Sequence, residues 1–151
     1  MEHEPWMRLA LEEARAAAAI GEVPIGAIVV RGERVLGRAH NLTRCWADAT
    51  AHAEMLAIRQ ALATLGSGRL VGSVLYSTLE PCAMCAGAMV LARVDMLVFG
   101  ARDPKAGAAG SVYDLVRSPW LNHRLTVVSG VLGKECGSLI SRFFGELRRA
   151  P

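Results

Sequence analysis

His52-Ala53-Glu54, then a strand-like Val74-Leu75-Tyr76-Ser77, then Pro81-Cys82-Ala83-Met84-Cys85, is the stretch on which the reading of this chain turns. One imidazole and two thiolates are donors of the type Zn²⁺ prefers, and a tetrahedral ion held by three protein ligands keeps one position for water. His52, Cys82 and Cys85 with an open position describe a catalytic metal site, one ion per chain. Glu54, two residues after the His, is spaced to lie beside the metal without binding it. That is where a proton shuttle for a metal-bound water is needed.

Cys-x-x-Cys alone is weak, because redox pairs and structural zinc sites share it. A structural site needs a fourth ligand, for which Cys45, His40 and His123 are available, and it leaves Glu54 without a role. His-x-Glu upstream and Pro81 directly before the first Cys match instead the pattern of zinc-dependent base deaminases.

Outward from this stretch, Thr50 is placed to cap a helix running to about Leu65, with Met55, Ile58, Leu62 and Leu65 as its buried stripe. His52 and Glu54 then fall in its first turn. Gly66, Gly68 and Gly72 break it before the strand at Val74 to Ser77. Pro81 suits the first turn of another helix, whose Met84 to Ala92 is apolar nearly all round and so reads as buried. Two helix N-termini thus face one ion, and their unpaired N–H groups favour anionic ligands.

Upstream, Pro5 to Ala19 predicts a helix with Trp6, Ala10, Ala14 and Ala17 on one face, and Pro24 to Val30 with Val35 to Ala39 a hairpin. A polar loop, His40 to Ala51, follows. Downstream come a strand at Met96 to Gly100, a loop at Ala101 to Gly110 whose glycines let a substrate approach the backbone, and one helical turn at Val112 to Arg117. A last strand, Leu125 to Ser129, precedes a helix from Lys134 to Leu147 that buries Cys136, Leu139, Ile140, Phe143, Phe144 and Leu147 on one face. The order predicts an α/β fold, a mixed five-stranded sheet with helices on both sides.

With 151 residues, 52% of them apolar and 21% charged, the chain reads as one folded domain, 1–151. No run approaches the eighteen or so apolar residues of a membrane span and no secretory leader is visible, so a cytoplasmic protein with reduced thiols is expected. Cys136 reads as a small buried hydrophobe and Cys45 as an incidental loop residue. The net charge of +3 is modest, but fifteen of the seventeen basic residues are Arg, whose planar fork suits phosphates and bases. Compositional bias accounts for the arginines equally well.

The chain resembles the bacterial tRNA-specific adenosine deaminases of the cytidine deaminase-like superfamily. The resemblance runs through Gly21-Glu22-Val23-Pro24, Asn41, His52-Ala53-Glu54 and Pro81-Cys82-Ala83-Met84-Cys85-Ala86-Gly87-Ala88. It continues in Phe99-Gly100-Ala101-Arg102-Asp103, Gly107-Ala108-Ala109-Gly110, Asn122-His123, Phe143-Phe144 and Arg148-Arg149. It implies a three-layer α/β/α cytidine deaminase-like fold and a homodimer. The implied reaction is hydrolytic deamination of the wobble adenosine to inosine in the anticodon loop of an arginine tRNA. In that chemistry zinc on His52, Cys82 and Cys85 acidifies a water, and Glu54 carries protons from it to the base and the departing ammonia.

The resemblance also puts Asn41 and the backbone of Ala53 against the base, and Asp103 and Lys105 near the sugar and backbone. Asn122, Phe144, Arg148 and Arg149 then surround the flanking loop. Each has a plainer reading. Asn41 can close a turn, Asp103 can cap one, Phe144 can pack in the core, and the two arginines can be a solvated tail. Function is preferred for Asn41 and Asp103 only. Trp46 can stack on nucleic acid, pack at a subunit interface or shield the site. The competing enzyme class is a deaminase of free guanine or cytosine compounds, which shares the zinc pattern.

Overall fold

The structure is a computed structural model that describes residues 2–149. Strands β1 (Gly26–Arg31), β2 (Arg34–His40), β3 (Ser73–Leu79), β4 (Met96–Ala101) and β5 (Thr126–Ser129) form one sheet in the order β2-β1-β3-β4-β5. β1 is antiparallel to β2 and β3, whereas β3, β4 and β5 run parallel. Helices α1 (Glu4–Ala19) and α4 (Gly133–Arg149) lie on one face, α2 (Ala53–Leu65) and α3 (Ala83–Leu91) on the other. This is the expected three-layer α/β/α arrangement with a mixed five-stranded sheet.

β2, β3 and β4 all end at the same edge, since His40 pairs with Gly26, Ala27 with Ser77, and Leu79 with Ala101. The segments that follow β2 and β3 carry every proposed metal ligand, His52 and Cys82 at helix starts and Cys85 in the first turn of α3, as is usual for sites in open α/β sheets.

Under α1, Met7, Ala10 and Leu11 pack on Ile28, Val30, Tyr76 and Val98. Under α2 the packing departs from the periodicity. Ala53, Leu56, Ala57, Ile58 and Ala61 are buried, while Met55, Leu62 and Leu65 are only partly so. The cause is Gly37 of β2, which lies so close beneath the helix that a Cβ there would run into the Ala57 carbonyl oxygen. Backbone approach of this kind selects the alanine face of α2.

Three other expectations need correction. Val112 to Arg117 is not helical; Val112 and Tyr113 donate their N–H groups back to Gly107, Leu115 donates to Ala108, and Ala109 bridges Asp114. So short a segment has little helical stability of its own, and the preceding loop takes its hydrogen bonds. In α4 only Cys136 is fully buried, whereas Phe144 is 39% and Leu147 52% exposed. The seventeen-residue helix packs on strands of six and seven residues, β4 and β3, and its C-terminal turns overrun them. In α3, Cys85, Ala86, Met89 and Val90 are buried but Leu91 is 78% exposed and Met84, Gly87 and Ala88 only half-buried, so the helix is apolar beyond the face that the described residues bury.

Candidate active site

His52 and Cys82 are the N-cap residues of α2 and α3, both extended, and neither side chain caps its own helix. The imidazole and thiol are therefore free to meet between the two helix starts. His52 Nδ1 lies 3.5 Å from the Sγ atoms of both Cys82 and Cys85. All three donor atoms fall within 4.8 Å of one another. Tetrahedral zinc with bonds of about 2.0 Å to nitrogen and 2.3 Å to sulfur separates those atoms by about 3.5 Å. The donor set fits zinc in chemistry and in spacing.

Among the described residues the group has three members. His40 Nδ1 is engaged by Glu13 at 2.9 Å, and His123 Nε2 sits 2.6 Å from the Val94 carbonyl. Cys45 is exposed in its loop, and all four cysteines are free thiols. Neither a structural four-ligand site nor a Cys82–Cys85 disulfide matches this geometry.

The protonation pattern follows from crowding. A hydrogen bond from Cys85, opposed by burial and aided by His52, holds the Cys82 thiol down to about 3. The same bond, with burial, pushes Cys85 up, so the pair shares one negative charge. His52 is raised, first by its hydrogen bond to Cys82. Glu54, 4% exposed, is pushed up to about 7 by burial, against lowering contributions from its own backbone amide and from His52.

The α2 N-terminus is built differently from the expected Thr50 cap. Thr50 turns back to Asp48, donating its hydroxyl to Oδ1 at 2.7 Å, because Ala51 is still tied into the loop through Leu42. The cap comes from outside, with Asn41 Oδ1 accepting the Ala53 N–H at 2.9 Å. Asn41 thus ties the end of β2 to the helix that bears His52 and Glu54.

A cavity of about 660 Å³ opens above the donors. Asn41, His52, Glu54 and Cys82 line it, with Asp103 and Lys105 from the loop after β4 and Phe144 from α4. Asp103 Oδ1 accepts the N–H groups of Lys105 and Ala106, so it shapes the turn that carries Lys105. Ala53 is fully buried with its N–H taken by Asn41. Asn122, Arg148 and Arg149 do not line the cavity. Asn122 is exposed ahead of β5, beside His123 and the start of β4, at the opposite edge of the sheet. The arginines are exposed in the last turn of α4, beyond Phe144. Trp46, 56% exposed, lines a separate groove with Arg38, Leu42 and Arg59.

Two carboxylates that sequence reasoning passes over are fully buried and hold the loops on either side of the cavity. Glu22 accepts the N–H groups of Arg44 at 3.1 Å and Cys45 at 2.6 Å. Burial pushes Glu22 up, but the Cys45, Arg44 and Thr43 hydrogen bonds outweigh it and hold the carboxyl below its ordinary value. Glu80 accepts the N–H groups of Asp103, Ala109 and Ser111, each at 3.0 Å, and the Ser111 hydroxyl. Burial is again outweighed, and Glu80 too is held low. The signal in the sequence is an acidic residue set against apolar neighbours, Glu22 before Val23-Pro24 and Glu80 after Leu79.

The family model for MafB19-like deaminases matches residues 1–148. The tRNA-specific adenosine deaminase of Bacillus subtilis is 51% identical over 146 residues, covering 97% of this chain and 91% of its own. A solved structure from work on A-to-I editing by tRNA:A34 deaminases at the wobble position has a TM-score of 0.86 at 47% identity, covering 89% of this chain and 98% of that one. Guanine deaminase from Nitrosomonas europaea shares the architecture at a TM-score of 0.77 and 28% identity, over 95% of this chain and 85% of its own.

Proposed function

Because this chain belongs to the MafB19-like deaminase family and to the tRNA-specific adenosine deaminases, we propose that it converts the wobble adenosine of an arginine tRNA to inosine. The reaction is hydrolytic: water replaces the amino group at C6 and ammonia leaves. The observation that carries this reading is the buried carboxyl of Glu54 beside the His52, Cys82 and Cys85 donors at the base of the cavity.

His52, Cys82 and Cys85 would hold a zinc ion, which when bound lowers the pKa of a coordinated water and so supplies the nucleophile. Glu54 moves the protons. A carboxyl that burial has pushed up to about 7 exchanges a proton readily near neutral pH. It takes one proton from the water and delivers it to the ring nitrogen beside C6, then takes the second from the new C6 hydroxyl and passes it to the departing amine, so that ammonia leaves as the C6 carbonyl forms. Asn41, whose Oδ1 is held by Ala53, keeps its NH₂ group for the incoming base. Asp103 and Lys105 stand at the rim for the sugar and backbone.

The cavity is large enough for a splayed nucleotide with part of its neighbours. Phe144, packed edge-on against Phe143 with ring centroids 5.5 Å apart, offers an exposed ring for a flanking base. Arg148 and Arg149, beyond Phe144 in the last turn of α4, extend this surface toward the anticodon loop, whereas Asn122 stands at the opposite edge of the sheet. The half-exposed apolar face of α3, with Met84, Gly87, Ala88 and the exposed Leu91 at helical spacing, supports a homodimer.

The deciding assay measures inosine at the wobble position of an arginine tRNA carrying adenosine there, beside free adenosine, guanine and cytidine. The tRNA alone is expected to react. Glu54→Ala should keep its zinc and lose activity by about 10²–10⁴-fold. Turnover of free guanine with untouched tRNA would replace this reading by that of a free-base deaminase.

A further inference from the structure

We propose that Glu80 is a positioning residue for the RNA substrate, fixing the 103–111 loop so that Asp103 and Lys105 stand at the cavity rim. The inference rests on the reading of the chain as an RNA deaminase and goes beyond its reaction chemistry.

Glu80 caps the end of β3, and its own N–H donates to the Ala101 carbonyl at 2.8 Å, which aligns the ends of β3 and β4. Its carboxylate is 1% exposed, and among the described residues no cation pairs with it. It is satisfied by four hydrogen bonds from one loop: the N–H groups of Asp103, Ala109 and Ser111 and the Ser111 hydroxyl. The loop wraps the carboxylate so closely that any Cβ at Gly107 would overlap it. A second tie, from the Ala108 N–H to the Pro81 carbonyl at 2.8 Å, pins the same loop to the entry of α3.

A buried carboxylate is a poor device for stability alone, since apolar residues of similar volume serve as well. Three main-chain donors converging from positions 103, 109 and 111 specify one loop conformation, and Asp103 then sets the turn that presents Lys105. The metal donors and Glu54 are placed by the starts of α2 and α3, and the main-chain tie from Ala108 to Pro81 at the entry of α3 does not involve the Glu80 carboxylate. Loosening the loop should therefore weaken substrate binding and spare the chemical step.

Glu80→Gln keeps the shape but turns an NH₂ group toward N–H donors. On an anticodon stem-loop with adenosine at the wobble position, KM should rise about tenfold or more with kcat within about threefold of wild type. Metal content should be unchanged, and trypsin should cut faster after Lys105. Ser111→Ala, which removes only the hydroxyl of an exposed residue, should raise KM by about threefold and decides the matter if Glu80→Gln does not fold. An unchanged KM in the folded variants, or a loss of kcat and metal with KM intact, overturns the role. Wild-type inactivity on the stem-loop overturns the functional reading itself and this inference with it. A wild type that reacts beside variants with unaltered KM removes Glu80 alone.

Discussion

Glu22 and Glu54 are both buried carboxylates, and their surroundings drive them in opposite directions. Glu54 has few donors and burial dominates, so its carboxyl is pushed up, as the proposed proton transfer requires. Glu22 is buried too, but the donors of Cys45, Arg44 and Thr43 hold it below the ordinary value of 4.5. A depressed carboxyl stabilises the fold fully above its unfolded pKa, and that contribution is lost as pH falls through the folded one. Glu22→Gln should therefore be less stable by about 1–3 kcal/mol at neutral pH, with a shallower loss of stability in acid than wild type. Urea unfolding from pH 7 to pH 3 checks this; parallel curves for the two proteins would remove Glu22 as a loop anchor. The contrast also shows why part of the site is legible in the sequence. His52, Glu54, Cys82 and Cys85 are fixed by spacing along two helix starts, which sequence displays. Glu22, Glu80 and the Asn41 cap act on main-chain amides of other segments, and only the tertiary fold brings those amides near.

The elements are legible where period and burial coincide, as in β1, β3 and β4, whose buried runs read directly as strands. They are less so where a neighbour sets the contact. α2 presents Ala57 and Ala61 to the sheet because Gly37 comes too close for larger side chains, and no periodicity in α2 records a glycine in β2. In α4 the periodicity marks an apolar stripe but not how much of it the core covers, because the helix outruns the sheet it packs on. The Gly37 contact yields a test. A methyl at Gly37 meets a backbone carbonyl that cannot rotate away, so Gly37→Ala should cost about 1–3 kcal/mol, or several degrees in Tm. Gly68, where an added Cβ would meet nothing within 4 Å, is the control. Gly68→Ala should be neutral within about 0.5 kcal/mol. Equal effects at the two positions in thermal unfolding would mean that the α2–β2 approach is looser than it stands here.

At the scale of the whole molecule, the net charge of +3 is too small to drive RNA binding by bulk attraction, so affinity must come from where the cations sit. Arg102 and Lys105 line the cavity, while Arg148 and Arg149 extend from the end of α4 that also carries Phe144. Each single-stranded phosphate neutralised releases counterions and contributes about −0.7 to the slope of log affinity against log salt. Four such contacts give a slope near about −3, whereas a free nucleoside gives almost none. Replacing both Arg148 and Arg149 by Ala should flatten the slope for an anticodon stem-loop by about 1.4, leaving kcat near wild type because neither residue reaches the metal donors. Binding measured between about 50 and 200 mM salt provides the check. An unaltered slope in the double variant would return those arginines to the solvated tail, and a flat wild-type slope would leave a cavity that binds the base without its phosphates.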